Sequence, residues 1–300
     1  MLKTVTTDRL AVPFTWWRGG VEMRWIDELA WMREEGADSR RMHKAAWVWK
    51  LQQTGGKTRR YAPLEDEPGL FREFASLGGS DGEYLRFAER YGLLGLEDSA
   101  VEFSFARLGD DLLSGGRATE VGAPRPWSED LWRWDEEHRN LAWAAELWDL
   151  LRSSKEDAAQ TLAGSPPRGA FSGGLAAPED SPPQAPPVNV LRMMINRQLA
   201  RYRVEPFLAS GKHRERQGSD PVMALHFRPH SLLGAMWLQL AFAITANQKH
   251  RRCEKCSRWF RVSPEDARTN RRYCSSACRQ RGYRNRVLER QSKAGSGGGR

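Results

Sequence analysis

The sequence predicts a mainly helical protein with a minor strand content, in which a helical N-terminal domain precedes a small C-terminal unit. Three observations predict this class. Apolar residues recur at helical spacing over residues 70–91 and again over 131–148. A strongly apolar helix is expected over residues 231–247, and all four cysteines follow it in two close pairs.

The first predicted helices lie between Leu70 and Gly92. Ser80 and Glu83 form a capping box, because each side chain can satisfy the exposed backbone N–H of the other. An apolar stripe at i, i+3, i+4 and i+7 follows it, made of Tyr84, Phe87, Ala88 and Tyr91. The preceding segment repeats the pattern with Leu70, Phe71, Phe74 and Leu77. Two short amphipathic helices joined by a turn are therefore expected, the second ending at Gly92.

A longer helix is expected after Pro126, with Ser128 as its N-cap. Its apolar stripe contains Leu131, Trp134, His138, Leu141, Ala145 and Trp148. We expect His138 to pack within the stripe, because no cysteine or histidine that could share a metal lies nearby. The local β-branched and aromatic content also predicts short strands within Leu10–Trp17 and Ala46–Lys50.

The tryptophans are unevenly distributed. Eleven of the 13 lie in the first half of the chain. Such a density indicates a heavily aromatic core or a recognition groove, and the helical spacing of several of them favours the core.

The chain divides into five predicted segments. Residues 1–152 form the Trp-rich, mainly helical domain, and the Pro-, Gly- and Ser-rich residues 153–188 form a linker or a long surface loop. Residues 189–248 are expected to contain a helix at Leu191–Ala209, broken near Pro206, then a strand at Val222–Phe227 and the apolar helix. That last helix must pack on the N-terminal domain or on a second chain, as in a homodimer. Residues 249–292 form the C-terminal unit, and residues 293–300 a disordered tail.

Composition limits the class of protein. The chain has 300 residues, of which 40% are hydrophobic and 28% charged. These proportions exclude wholesale disorder, a collagen-like fibre and a disulfide-dense miniprotein. The longest apolar run, Leu232 to Ile244, is shorter than the roughly 20 residues that a membrane span needs. No apolar signal segment follows Met1. We therefore expect a cytoplasmic protein that does not contact membrane.

The net charge of +9 is concentrated at one end of the chain. Residues 249–300 contain 16 Lys and Arg against four acidic residues, whereas the other residues contain 31 basic against 34 acidic side chains. A basic block of this kind favours nucleic acid as the partner, because Lys and Arg neutralise phosphates and release counterions. A solvated basic tail is the alternative.

The cysteines have the spacing of a metal site. Cys253 and Cys256 form a C-x2-C pair, and Cys274 and Cys278 form a C-x3-C pair. Four thiolates in two such pairs match the tetrahedral coordination that structural zinc prefers. Two disulfides or four unrelated thiols are the alternatives, but paired spacing in an intracellular protein disfavours both. We expect one structural zinc ion per chain, with no need for His250 as a further ligand.

Basic residues surround the second pair. A helix that begins at Cys278 would carry arginines on one side, with Tyr283 available to stack on a base. The candidate nucleic-acid contacts are Arg271, Arg272, Arg279, Arg281, Tyr283, Arg284, Arg286 and Arg290. A solvated helix without a ligand is the alternative.

The segments Cys253–Phe260 and Arg271–Arg286 together resemble the C-terminal zinc finger of bacterial CGNR-type proteins. The Tyr-Cys-Ser-x-x-Cys sequence that ends at Cys278 is also similar to treble-clef fingers. In the name-giving Cys-Gly-Asn-Arg motif, Cys278 and Arg281 match, while Arg279 and Gln280 replace the glycine and the asparagine. The resemblance implies a mostly helical N-terminal domain, the four cysteines as metal ligands, and a role as a transcriptional regulator.

No catalytic motif is present in the sequence. It has no nucleophile elbow, no P-loop, no His-Glu-x-x-His sequence and no dinucleotide fingerprint. The sequence therefore predicts a non-catalytic zinc-finger protein that binds nucleic acid, with DNA favoured over RNA. A protein-interaction module built on a treble-clef finger and an RNA-binding or phage-defence protein are the alternatives. Nothing in the sequence identifies a small-molecule effector.

Overall fold

The computed structural model is a mixed α+β structure, with long helices and small sheets of two or three strands. It describes residues 14–27, 47–54, 59–96, 128–167, 170, 185–210, 223–262 and 271–295. The helices of these residues are α1 (Pro63–Asp66), α2 (Leu70–Ala75), α3 (Asp81–Tyr91), α4 (Leu131–Arg152), α5 (Glu156–Ala163), α6 (Pro187–Arg201), α7 (Leu232–Thr245) and α8 (Ser276–Gly295). The strands are β1 (Trp16–Arg18), β2 (Val21–Asp27), β3 (Trp47–Gln53), β4 (Arg59–Tyr61), β5 (Ser128–Asp130), β6 (Glu205–Ser210), β7 (Met223–Arg228), β8 (Lys249–Arg252) and β9 (Trp259–Val262).

All the strand pairs are antiparallel. β3 is the central strand of a three-stranded sheet, with β2 on one side and β5 on the other. β1 pairs with β4, β6 with β7, and β8 with β9. The pairing of Lys50 with Asp130 places a buried ion pair of 2.8 Å between β3 and β5. The N-terminal half therefore contains more strand than the two short segments that the sequence predicts.

Helix α4 lies at the centre of the core, where it packs on α2, α5 and α6. Its predicted stripe faces inward: Trp134 and Leu141 are fully buried, and Trp148 is half-buried. His138 is a packed residue as expected, because it is buried and its Nδ1 lies 3.1 Å from the Tyr84 hydroxyl. Several of the other tryptophans are also core residues, namely Trp16, Trp143 and Trp237. Trp132 is exposed, and Trp31 and Trp127 lie outside the described residues.

The capping box and the stripe of α3 are confirmed. The side chains of Ser80 and Glu83 each bond the backbone of the other residue, and Tyr84, Phe87, Ala88 and Tyr91 are buried. Gly92 ends the helix with a φ of 96°. A Cβ atom at Gly92 would lie 1.9 Å from the carbonyl oxygen of Trp17, so only glycine allows strand β1 to pass this close.

The predicted N-cap at Ser128 is wrong. Residues Ser128–Asp130 pair with β3 as strand β5, so α4 begins only at Leu131. The pairing turns the Glu129 carboxylate inward, where it is 1% exposed. It accepts hydrogen bonds from the backbone N–H groups of Leu94, Gly95 and Leu96 and from Trp134 Nε1. By its place in the sequence, Glu129 looks like a solvated acid in the first turn of a helix. In the structure it instead binds and holds the segment that follows α3, residues 94–96.

Two further predictions need correction. Helix α5 lies inside residues 153–188, because its apolar side packs Ala159 and Ala163 against α4 and α6. The helix predicted at Leu191–Ala209 begins earlier, at Pro187, and ends at Arg201. Proline suits the first turn of a helix, since its missing N–H has no partner there. The chain then turns at Arg203 (φ 47°) into strand β6, which contains Pro206.

The strand and the helix predicted at Val222–Phe227 and Ser231–Asn247 are confirmed as β7 and α7, while Val222 lies outside the described residues. Ser231 caps α7, and its Oγ accepts the N–H of Gly234. Every residue from Leu232 to Leu240 is buried, and the helix packs on α1, α2, α4 and α6 of the same chain. Among the described helices, none is both long and apolar enough to cross a membrane.

The C-terminal end of the chain is more helical than predicted. Helix α8 continues to Gly295, three residues into the segment expected to be a disordered tail. The predicted tail residues 296–300 and the predicted strand residues Leu10–Pro13 lie outside the described residues.

We predict that Glu129→Gln lowers the free energy of unfolding by about 2–4 kcal/mol, because four N–H donors lose a buried carboxylate and one of them faces an amide NH2 instead. Urea unfolding followed by circular dichroism measures this change. Glu146→Gln is the matched control, since it makes the same substitution at an exposed position of the neighbouring helix α4, and its effect should stay within about 0.5 kcal/mol. Equal losses for the two variants would contradict the assigned role of Glu129.

Candidate metal centre

The first cysteine pair lies on the turn between β8 and β9. The N–H of Cys253 bonds the carbonyl of Arg258, and the N–H of Ser257 bonds that of Cys253. Ser257 has a φ of 58°, a left-handed conformation that tightens the turn. This backbone directs both thiols of the C-x2-C pair toward one point.

The second pair lies at the start of helix α8. Cys274 precedes the helix, and Cys278 is in its first turn. The Oγ of Ser275 accepts the N–H of Cys278, which orients this turn. The N–H of Glu254 also bonds the carbonyl of Arg272, so the segment before α8 is attached to the first pair. The three-residue spacing brings both sulfurs to the same side of the helix start, 3.6 Å apart.

The four sulfurs lie close enough together to hold a metal ion. All of them are within 4.8 Å of one another. Cys274 Sγ is 3.5 Å from Cys256 Sγ and 3.6 Å from Cys278 Sγ. A tetrahedral ion with metal–sulfur bonds of about 2.3 Å needs sulfur–sulfur distances of about 3.8 Å. The cluster therefore fits such an ion with small adjustments, and its four protein ligands would leave no coordination position for water.

The surroundings of the sulfurs favour negative charge on some of them. Burial raises the pKa of the Cys253 thiol, but backbone N–H groups of Cys274, Cys256 and Lys255 outweigh it and lower this pKa. The Arg258 side chain bonds the sulfur of Cys256, which raises the pKa of this guanidinium and keeps it cationic. Burial and the neighbouring sulfurs raise the pKa of Cys274. Such sites bind metal as thiolates, so a cation within the cluster would complete the charge balance.

The cluster has a small apolar core of its own. Phe260, Val262, Cys253 and Cys278 are buried together, and Tyr273 packs against them. Gly282 of α8 lies on the Tyr273 ring, because a Cβ atom there would approach the ring to 2.9 Å. Glycine in the middle of a helix costs about 1 kcal/mol relative to alanine. The close contact with the Tyr273 ring explains why glycine occupies this position despite that cost.

The turn that carries the first cysteine pair packs directly on helices α1 and α2. The N–H of Trp259 bonds Glu73 Oε1 at 2.8 Å, and Arg258 forms an ion pair of 3.3 Å with Glu67. A Cβ atom at Gly69 would lie 2.7 Å from Trp259 Cβ, so the two backbones are in close contact. The C-terminal unit is therefore held against the helical part of the chain.

His250 belongs to this contact rather than to the cysteine cluster. Its ring meets the Phe71 ring edge-on, with 5.1 Å between centroids. The four cysteines form the cluster without it, in agreement with the expectation that His250 is not needed as a ligand.

The predicted nucleic-acid contacts separate into two groups. Arg271, Arg272 and Arg286 are engaged within the chain. Arg271 bonds the carbonyls of Tyr273 and Cys274, Arg272 pairs with Glu254, and Arg286 bonds the Tyr273 hydroxyl. Arg271 also lies over the Phe260 ring, so it packs against the cysteine cluster and its small apolar core.

The second group is exposed on α8 and consists of Arg279, Arg281, Tyr283 and Arg284. Within the described part of the chain, these three arginines form no side-chain hydrogen bond or ion pair, and Tyr283 is 64% exposed. The backbone of Arg290 continues the same helix, but its side chain lies outside the described residues. Helix α8 thus presents uncompensated positive charge immediately beside the cysteines.

Sequence reasoning missed a second exposed basic group on β8, which consists of Lys249, Arg251 and Arg252. The block of positive charge was visible in the sequence, but a strand that exposes these residues was not predicted.

No protein-family model, curated protein or solved structure matches the chain.

We predict that His250 makes the folded protein less stable in mild acid. Burial and the nearby Arg72 lower the pKa of His250 to about 4. In the unfolded chain, His250 has the ordinary histidine pKa of about 6.5. Below that pH, the unfolded chain therefore binds more protons than the folded chain. The free energy of unfolding that depends on neutral His250 is therefore fully present above pH 6.5, and it is lost as the pH drops toward 4.

Urea unfolding of the metal-loaded protein at pH 7.0 and pH 4.5 tests this prediction. The wild type should lose about 2–3 kcal/mol more than His250→Gln between these two values. Thr245→Ala, at an exposed position that does not titrate, is the control and should keep the wild-type dependence on pH. A His250→Gln variant that loses as much stability as the wild type would refute the assignment.

Proposed function

We propose that the chain is a zinc-finger protein of the CGNR type that binds nucleic acid through helix α8 and performs no catalysis. The observation that carries the proposal is the set of exposed arginines, Arg279, Arg281 and Arg284, on a helix that begins inside the cysteine cluster. The cluster fixes the start of the helix, so the arginines have a defined position relative to the rest of the protein.

Zinc is the metal that this cluster suits best. Four thiolates in a compact cluster are typical of structural zinc sites, where the ion is tetrahedral. The d-electrons of zinc add no preference for a different geometry. Such an ion would hold the β8–β9 turn against the start of α8 and would supply folding free energy to the C-terminal unit. With four protein ligands, its role would be structural.

Nucleic acid is the partner that suits the exposed side chains. Arginine binds phosphate through several N–H donors in a fixed plane, and it also recognises guanine edges in the major groove. Arg281 and Arg284 are one helical turn apart on the same side of α8, whereas Arg279 lies about 200° around the helix from Arg281. A helix seated in a groove could therefore bring these arginines to the phosphates of both flanking strands. The basic group on β8 extends the positive charge of the same unit.

Duplex DNA is the partner that we favour, with the chain acting as a cytoplasmic transcriptional regulator. An exposed α-helix has the width that the major groove admits, and α8 carries arginines that could reach either wall of it. The helical N-terminal part would then provide dimerisation or ligand sensing. The alternatives to duplex DNA are RNA and a protein partner. The experiments below distinguish these alternatives.

We predict one zinc ion per chain. Metal analysis of the purified protein should give one equivalent, and replacement by Co²⁺ should give the visible spectrum of a tetrahedral thiolate site. Cys274→Ser should lose the ion and the structure of residues 249–295, while the helical part remains folded. Ser276→Ala, at an exposed position of the same segment, is the control that should keep the ion. A metal-free wild type with two disulfides would end this proposal.

We predict that replacing Arg279, Arg281 and Arg284 together by Gln weakens nucleic-acid binding and flattens its dependence on salt. If each arginine neutralises one phosphate of duplex DNA, the log–log slope should decrease by about 0.9 per residue. Fluorescence anisotropy with random duplex DNA and with RNA over a salt series measures both quantities.

The matched control replaces Arg59, Arg86 and Arg192, three exposed arginines of other elements, by Gln. It changes the net charge by the same amount and should leave the slope nearly unchanged. A slope that decreases equally in both variants would indicate non-specific attraction. A variant in α8 that binds as the wild type does would remove nucleic acid as the partner of this helix and favour a protein partner.

A further inference from the structure

The hairpin of β8 and β9 has two different faces. In an antiparallel pair, residues that lie opposite each other in the register carry their side chains on the same face. Lys249 is opposite Val262, and Arg251 is opposite Phe260. Side chains alternate along a strand, so Arg252 lies on the other face. The three exposed basic residues of β8 are therefore divided between the two faces of the hairpin.

The face that carries Arg252 turns toward helices α1 and α2. Trp259 is opposite Arg252 in the register, and the Arg252 guanidinium lies 5.9 Å from the centre of the Trp259 ring. A Cβ atom at Gly69 would lie 2.7 Å from Trp259 Cβ. His250 is on the same face, and its ring meets the Phe71 ring edge-on. This face is therefore the one that packs on the helical part of the chain.

The face that carries Lys249 and Arg251 turns toward the cysteine cluster. Their opposite residues, Phe260 and Val262, are buried in the same small core as Cys278, which is in the first turn of α8. Lys249 and Arg251 themselves are exposed. Both residues therefore lie on the side of the hairpin where α8 begins.

The positive charge on this side is not neutralised by the described residues around it. The side chains of Lys249 and Arg251 form no hydrogen bond or ion pair within the described part of the chain. Among the side chains described between residues 249 and 287, Glu254 is the only acidic one, and it pairs with Arg272. Uncompensated cations on β8, beside the exposed arginines of α8, attract a polyanion to both elements.

We propose that Lys249 and Arg251 form a second contact surface for the nucleic acid that α8 binds, so that one molecule of duplex DNA lies against both elements. The inference rests on the proposed function of α8. The Lys249 ammonium and the Arg251 guanidinium would each contact a backbone phosphate beside the groove that holds the helix. Phosphate contacts from a second element fix the orientation of a helix on the duplex, although they carry no sequence information. Arg252, on the opposite face, would take no part.

Binding of random duplex DNA by the full-length, metal-loaded protein over a salt series tests this surface. Lys249→Gln with Arg251→Gln should decrease the log–log slope by about 1.8, and should weaken binding at about 0.1 M salt at least about tenfold. The matched control, Arg252→Gln with Arg192→Gln, removes the same charge from the opposite face of β8 and from α6, and should keep nearly the wild-type slope. Lys249→Arg with Arg251→Lys retains both charges and should bind as the wild type does.

The outcomes separate this surface from the proposed function. A slope that decreases in the triple α8 variant but not in the β8 variant would overturn this surface alone, as would equal decreases in the β8 variant and its control. An α8 variant that binds as the wild type does would overturn the proposed function, and the shared surface with it. If one duplex contacts both elements, the β8 variant should bind as many DNA molecules per chain as the wild type. A β8 variant that binds fewer would show two separate sites and contradict a shared duplex.

Discussion

One buried amide fixes the segment on which the cysteine cluster packs. Gln239 of α7 is 7% exposed, and it bonds backbone groups of the segment that contains α1 and α2. Its Oε1 accepts the N–H of Phe71, and its Nε2 donates to the carbonyls of Pro63 and Glu67. A buried amide that lost these partners would carry the full cost of desolvation, so the position of this segment on α7 is strongly determined.

The same segment supports the C-terminal unit from its other side. Glu67 and Glu73 bond Arg258 and Trp259, which follow the first cysteine pair. Arg72 adds a bidentate ion pair with Asp149 of α4, and its guanidinium also lies over the Trp259 ring. The apolar helix α7, the segment with α1 and α2, and the cysteine cluster thus form consecutive layers, and helix α8 with its exposed arginines begins in the last of them.

Local patterns were predicted well because they depend on neighbours in sequence. The capping box at Ser80, the buried stripe of α4 and the burial of α7 each involve residues a few positions apart. The spacing of Cys253, Cys256, Cys274 and Cys278 likewise predicted a cluster that the structure assembles. Strand β5, helix α5 and the inward carboxylate of Glu129 were missed, because each depends on a partner that is distant in sequence.

The sequence by itself determined the helical periodicity of the core, the cysteine cluster and the concentration of positive charge near it. Only the tertiary structure decided which of the described basic residues are engaged within the chain, since Arg271 and Arg286 bond carbonyl and hydroxyl groups whose positions depend on the folded cluster. It also decided how the cluster is attached, through contacts such as Gln239 with Phe71, 168 residues apart. A hydrogen bond across that distance has no periodic signature, because its partners meet only after the elements between them have packed.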